Sequence, residues 1–137
     1  MFSRDFLADL IVVVHCVYVA FVLVGMALIL IGIVRRWKWV RNFWFRVLHF
    51  LAIAFVAFES LGQIVCPLTD WERDLRVLGG GEGDPRSFVG RLVHALIFYD
   101  APAWAFTLCY CAFAAAVLAT LWLAPPRWPW KQTAREP

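Results

Sequence analysis

A continuous apolar run near the start of the chain restricts the fold more than any other feature. Between positions 6 and 34, only Asp9 and His15 are strongly polar. About 20 apolar residues in a helix are enough to cross a hydrocarbon core of roughly 30 Å, so this run predicts a transmembrane helix. The whole chain is 63% hydrophobic, against roughly 45–50% in soluble domains. These observations predict an all-α integral membrane protein.

Two further stretches, residues 45–66 and 103–123, are also long and apolar enough to cross. The second span is predicted to end at Cys66, because Pro67 lacks a backbone donor and pushes the residue before it out of the helical region. In front of the third span, Asp100 and Pro102 have the spacing of an N-cap carboxylate and a proline in the first helical turn. The sequence therefore predicts three transmembrane helices.

The segment between the second and third spans is predicted to form a cap. Thr69 to Glu72 match the pattern of a capping box, and Gly79 provides a stop signal, which predicts a short helix on the membrane surface. Residues 87–100 rise only about 21 Å at about 1.5 Å per residue, too little to cross the bilayer alone. We expect this segment to be an amphipathic helix that is re-entrant or interfacial, and four membrane helices are the alternative.

Charge distribution decides between three spans and four. Lysine and arginine accumulate on the cytoplasmic side of membranes, and they are concentrated in residues 35–46 and 124–137. Three spans place both basic regions in the cytoplasm, with a periplasmic N-terminus and an outer cap at 67–101. Four spans would place one basic region outside. We therefore predict a single membrane domain, 1–137, with a basic cytoplasmic tail at 124–137.

The expected partners follow from the same pattern. The basic residues lie beside apolar runs, which indicates contact with the lipid bilayer and no nucleic-acid partner. A core made of three spans is small, so a homo-oligomer or a larger membrane complex is expected.

Glu59 lies inside the second span, where a charged group is costly and usually faces protein. A projection at 100° per residue places it on one arc of the helix with the other polar groups of the span. At about 1.5 Å per residue it lies roughly 10 Å below the outer helix end, and His15 lies at a comparable depth in the first span. The predicted polar cluster in the outer half of the bundle contains His15, Glu59 and His94, with Gln63, Cys66 and Asp100 nearby.

Several kinds of chemistry suit such a cluster. His15, Glu59 and His94 could ligate zinc or non-haem iron, and paired histidines could ligate haem. A desolvated carboxylate beside histidines could also relay protons or receive a ligand. In the structural alternative, Glu59 hydrogen-bonds His15 or a serine across the helix interface. His49 lies too near the inner end to share a metal with His15, and we expect it to have a packing role.

The polar positions also carry a family resemblance. The first-span sequence DLIVVVHCVYVAFVLVG, the histidine early in span two and the core E-x-x-G-x-x-x-C-P-L-T from Glu59 to Thr69 resemble a family of short bacterial membrane proteins that is classed as a domain of unknown function. The resemblance covers nearly the whole chain and implies a protein of the bacterial cytoplasmic (inner) membrane. That family has F-I-E-H-Y in its outer segment, whereas Gly90 and Arg91 replace the Glu-His pair here. Either His94 substitutes from one turn later or the third ligand is absent.

No pattern in the sequence assigns a reaction, and a non-enzymatic role is favoured. The leading interpretation is an accessory or scaffold membrane protein whose outer polar cluster sets the helix register or receives a ligand. The first alternative is a redox component that binds a metal or haem. The second alternative is proton-coupled transport, which would require an oligomer.

Overall fold

The computed structural model describes residues 3–83, 86, 88–97 and 99–129. Across these residues the chain forms five α-helices, one short 3₁₀ turn at Trp39–Arg41 and no β-strand. The helices are α1, Arg4–Val34; α2, Phe43–Leu61; α3, Pro67–Leu78; α4, Phe88–Ile97; and α5, Ala103–Leu123. The predicted tail beyond residue 129 and positions 84, 85, 87 and 98 of the predicted cap lie outside the described residues.

Three of these helices, α1, α2 and α5, are long and apolar enough to cross a membrane. The predicted all-α fold with three spans is therefore confirmed. The 10 residues of α4 rise only about 15 Å, so this helix cannot cross. Together α3, residues 79–83 and α4 form a segment that we call the cap.

The second span ends earlier than its proline signal predicts. Helix α2 stops at Leu61, five residues before Cys66. Gln63 adopts a left-handed conformation with φ 54°, and the N–H of Ile64 donates to the carbonyl oxygen of Glu59 at 2.9 Å. This closure satisfies terminal carbonyls of α2. The helix therefore ends at a local turn, and Pro67 acts on the next helix instead.

The capping box prediction also needs correction. Helix α3 begins at Pro67, with Cys66 at the N-cap and no side-chain cap bond. Proline suits the first position of a helix because it has no N–H to satisfy and its φ is already helical. Thr69 therefore lies within the first turn, where its N–H donates to the carbonyl oxygen of Cys66 at 2.9 Å. Glu72 is consequently free to point into the protein. The helix ends with Gly79 at its C-cap.

The start of α5 differs from the prediction in a similar way. Pro102 occupies the N-cap with extended backbone (φ −66°, ψ 151°), and no side chain caps this helix. Asp100 instead lies beside the side chains of Arg86 and His94, described below. The carboxylate of Asp100 therefore pairs with Arg86 and does not cap α5.

Two pairs of helices build the bundle. The cap helix α3 packs along α1, and α2 packs along α5. Val22, Met26, Ile53 and Val117 form the buried apolar core between the spans. The start of α1, the end of α2, the start of α5 and the cap lie at one end, which we call the cap end. The opposite end, with the Trp39–Arg41 turn, is called the basic end.

Candidate functional site

The most strongly bonded buried charge at the cap end is Glu72. Glu72 is only 2% exposed to solvent, although it lies on the short amphipathic helix α3. Nη1 of Arg91 donates to Oε1 of Glu72 at 2.9 Å, and Nη2 of Arg91 donates to Oε2. Nε of Arg76 donates to Oε1 at 2.8 Å. One carboxylate therefore accepts three hydrogen bonds from two guanidinium groups.

The bonding extends from Glu72 to the first span. Nη2 of Arg76 donates to Oδ1 of Asp9 on α1 at 3.0 Å. The four side chains of Asp9, Arg76, Glu72 and Arg91, called the Glu72 network below, thus connect α1, α3 and α4. Glu72 and Arg76 are four residues apart and so share one face of α3, and that face is turned toward α1.

The network keeps Glu72 ionised. Burial by itself would raise the pKa of this carboxyl group, but the hydrogen bonds and charges of Arg91 and Arg76 outweigh burial and hold the pKa below its ordinary value. The bond to Glu72 raises the pKa of Arg76 in turn. A buried charge is tolerated here because it accepts three hydrogen bonds from groups of opposite charge.

His15 lies beneath this network on α1. His15 is 8% exposed to solvent, and it lies within electrostatic range of both Arg91 and Glu72. Tyr18, one turn further along α1, donates its hydroxyl to the carbonyl oxygen of Ala52 on α2 at 2.5 Å. The polar side chains of Asp9, His15 and Tyr18 on α1 therefore extend from the Glu72 network toward the second span.

Glu59 and Cys66 form a second polar contact near the end of α2. Glu59 is 6% exposed, which agrees with the predicted protein-facing arc, and its carboxylate hydrogen-bonds the Cys66 thiol. Burial raises the pKa of Cys66, hydrogen bonds with the backbone of Leu68 and Thr69 oppose the rise, and Glu59 adds to it. The thiol form is therefore favoured. Tyr18 lies within electrostatic range of both groups.

The other predicted members of the cluster have different neighbours. Nδ1 of His94 lies 3.0 Å from Oδ1 of Asp100, and Nη1 of Arg86 donates to the same oxygen at 3.2 Å. Gln63 is exposed, and its Nε2 donates to the carbonyl oxygen of Ser60 at the end of α2. His94 thus contacts Asp100. The side chain of Gln63 bonds a backbone carbonyl at the C-terminal end of α2.

The positions of the His, Cys, Asp and Glu side chains can be compared with what a metal ion requires. In the described part of the chain, no three side chains of His, Cys, Asp and Glu are grouped so that they could hold a metal ion. The set His15, Glu59 and His94 stays a prediction of the sequence.

His49 belongs to the helix interface. It is fully buried, and its Nε2 lies 2.8 Å from the carbonyl oxygen of Val22 on α1. Because a carbonyl only accepts, Nε2 must carry the hydrogen. A Cβ on Gly25 would lie 2.6 Å from Cδ2 of His49, so glycine is what allows the ring to reach α1.

Sequence reasoning missed the centre of this site. It used Glu72 as a capping residue and treated Arg91 as a loss relative to the family pattern. The available signal was the four-residue spacing of Glu72 and Arg76, together with an arginine in a short apolar segment that needs a partner. The ion pair between Arg76 and Asp9 joins residues far apart in the chain, so no local sequence pattern could have predicted it.

A family model described as "Protein of Unknown function (DUF2784)" matches residues 5–126. No curated protein and no solved structure matches the chain. The matched range covers the five helices of the described residues, apart from Arg4 at the start of α1, and every residue of the Glu72 network.

Proposed function

The chain belongs to the DUF2784 family, and we propose that it is an accessory or scaffold protein of the membrane whose cap is held in one position by the Glu72 network. The observation that carries the proposal is the buried carboxylate of Glu72, which is bonded to arginines of α3 and α4. The same network reaches α1 through Arg76 and Asp9.

In this proposal the buried ion pair serves to fix the position of the cap, since the cost of desolvating the charges offsets much of their attraction. Moving α4 away would leave Glu72 with one partner fewer inside the protein, and an uncompensated buried charge is costly. Alternative positions of the cap are therefore disfavoured. A cap with one defined position offers a constant surface, which a scaffold needs in order to bind a partner.

The groups beneath the cap support a role in receiving a ligand. His15, Tyr18 and Glu59 supply donors and acceptors that face the protein interior, and ionisable groups inside membrane spans commonly mark functional sites. The ligand would be polar and would reach these groups from the cap end.

The charge pattern supports a proposed orientation in the membrane. Lys38, Arg41 and Arg127 lie together at the basic end, and basic residues next to spans favour the cytoplasmic side. We place the protein in the bacterial cytoplasmic membrane with the cap on the periplasmic side. Reactivity of single cysteines introduced at Gly80 and at Arg35 toward a membrane-impermeant thiol reagent tests this orientation.

The scaffold role is tested with E72Q and with D74N as the matched control. Asp74 is an exposed carboxylate on the same helix, so both variants remove one negative charge from α3. We expect amide hydrogen exchange in α3 and α4 to accelerate in E72Q only. Native purification from membranes, followed by mass spectrometry, should show protein or small-molecule components that remain with the wild type and D74N and are lost from E72Q. Equal exchange and equal composition in all three proteins would contradict the proposal.

A further inference from the structure

A pocket of about 180 Å³ lies at the basic end, between the α1–α2 connection and the segment after α5. It is more than five times the volume of about 30 Å³ that a water molecule occupies in the liquid. Its wall includes three cationic and three aromatic side chains: Lys38, Arg41, Arg127, Trp39, Phe43 and Trp44.

Two distant parts of the chain are bonded together to make this pocket. The N–H of Arg127 donates to the carbonyl oxygen of Arg41 at 2.8 Å, beside an isolated bridge between Asn42 and Arg127. Nε of Arg41 donates to the carbonyl oxygen of Pro125 at 3.0 Å. These bonds use the backbone of Arg127 and one nitrogen of Arg41. The frame of the pocket therefore includes the guanidinium group of Arg41, but it uses the side chain of neither Lys38 nor Arg127.

The pocket has an excess of positive charge. Among residues 3–83, 86, 88–97 and 99–129, no carboxylate forms an ion pair with Lys38, Arg41 or Arg127. Three like charges around one small space repel one another, and an anion placed between them would relieve that repulsion. Arginine and lysine are also the side chains that proteins use to bind phosphate.

The position of the pocket identifies the source of the anion. Helix α1 ends at Val34, α2 begins at Phe43 and α5 ends at Leu123, and the pocket is lined by the start of α2 and by residues that follow α1 and α5 in the chain. That level corresponds to the lipid headgroups. Trp39 and Trp44 are exposed there, as expected for tryptophans at the interface between headgroups and acyl chains.

We propose that this pocket binds the phosphate group of an anionic phospholipid. Lys38, Arg41 and Arg127 contact the phosphate oxygens, while Trp39 and Trp44 contact the glycerol and the first carbons of the acyl chains. Basic pockets between spans are known to take such headgroups. The site lies at the opposite end from the Glu72 network and is independent of the scaffold role.

The test uses the full-length protein in detergent, titrated with phosphatidylglycerol, with phosphatidylcholine or with inorganic phosphate, and native mass spectrometry to measure binding. The variant K38Q/R127Q removes two charges from the pocket without breaking a hydrogen bond of its frame. The control R35Q/R36Q removes two exposed charges at the same end that do not line the pocket.

We expect the wild type and R35Q/R36Q to bind phosphatidylglycerol at least about tenfold more tightly than phosphatidylcholine, and K38Q/R127Q to lose about tenfold in phosphatidylglycerol affinity. Equal losses in the two double variants would overturn the site, because the attraction would then be a general property of the basic end. Binding of inorganic phosphate with no preference between the two lipids would overturn the lipid as the source.

Discussion

Arg91 of α4 donates two hydrogen bonds to the carboxylate of Glu72 on α3, and that carboxylate is shielded from solvent. The two residues are 19 positions apart, on opposite sides of a glycine-rich connection. Their pairing therefore holds α4 against α3.

Removing the charge of Glu72 should destabilise the protein. E72Q leaves Arg91 and Arg76 without a full-strength acceptor, and we expect a loss of about 2–3 kcal/mol in the free energy of unfolding. Thermal or denaturant unfolding in detergent, compared between E72Q and wild type, measures this. D74N should unfold like the wild type within about 0.5 kcal/mol, since its carboxylate is exposed. An E72Q protein as stable as D74N would show that the network adds nothing.

The contribution of Glu72 should also depend on pH. Its pKa in the folded protein is lower than its ordinary value of 4.5, because hydrogen bonds from Arg91 and Arg76 outweigh the effect of burial. A lowered pKa means that ionised Glu72 stabilises the fold at pH above the ordinary value, and that this stabilisation is lost as the pH falls through the folded value. The difference in melting temperature between wild type and E72Q should be constant near neutral pH and shrink below about pH 4.5. A difference that grows on acidification would reverse the assigned sign.

The contact between Gly25 and His49 should tolerate no side chain. In G25A the new Cβ would come within 2.6 Å of the His49 ring, and relieving such overpacking typically costs about 1–3 kcal/mol. The ring would move away from Val22 and lose its hydrogen bond. In an H49A background the obstacle is absent, so G25A should cost much less there. A double-mutant cycle measured by unfolding tests this coupling. Purely additive effects would mean that the two residues do not interact.

Cys66 should react slowly with alkylating reagents, and E59Q should accelerate it. Burial raises the pKa of the Cys66 thiol, and the neighbouring Glu59 raises it further, while only the thiolate reacts. The measurement is the rate of maleimide labelling against pH in a variant that keeps Cys66 and has alanine at the three other cysteines.

D70N serves as the control for the labelling experiment. Asp70 is also a carboxylate near the start of α3, but it does not contribute to the shift of the Cys66 pKa. We expect D70N to label at the wild-type rate and E59Q to label faster at the same pH. An unchanged rate in E59Q would remove Glu59 from the environment of Cys66.

Parts of the site were visible in the sequence because they depend on one helix at a time. The burial of Glu59 follows from the arc of polar residues along α2, and the position of His15 in the same half of the bundle follows from its depth along α1. The partners of these residues depend on two or more helices. Neither the contact of Asp100 with His94 nor that of Arg91 with Glu72 could be derived from spacing alone.

The ends of the helices were also predicted only in part from the sequence. Pro67 was correctly recognised as a boundary, but a proline both stops one helix and starts the next. Here it occupies the first position of α3, while α2 ends six residues earlier, at Leu61, in its own turn. Sequence signals locate such a boundary within a few residues and do not decide which helix the signal serves.

The sequence by itself determined the number of spans and the all-α class, because crossing a bilayer requires only length and apolar composition within one segment. Only the tertiary structure decided which polar groups meet. The Glu72 network joins Asp9 of α1 to Arg91 of α4 through α3, and His49 reaches α1 where Gly25 leaves room. These contacts depend on how the helices pack against one another, and a buried charge accepts whichever partner that packing brings within hydrogen-bond distance.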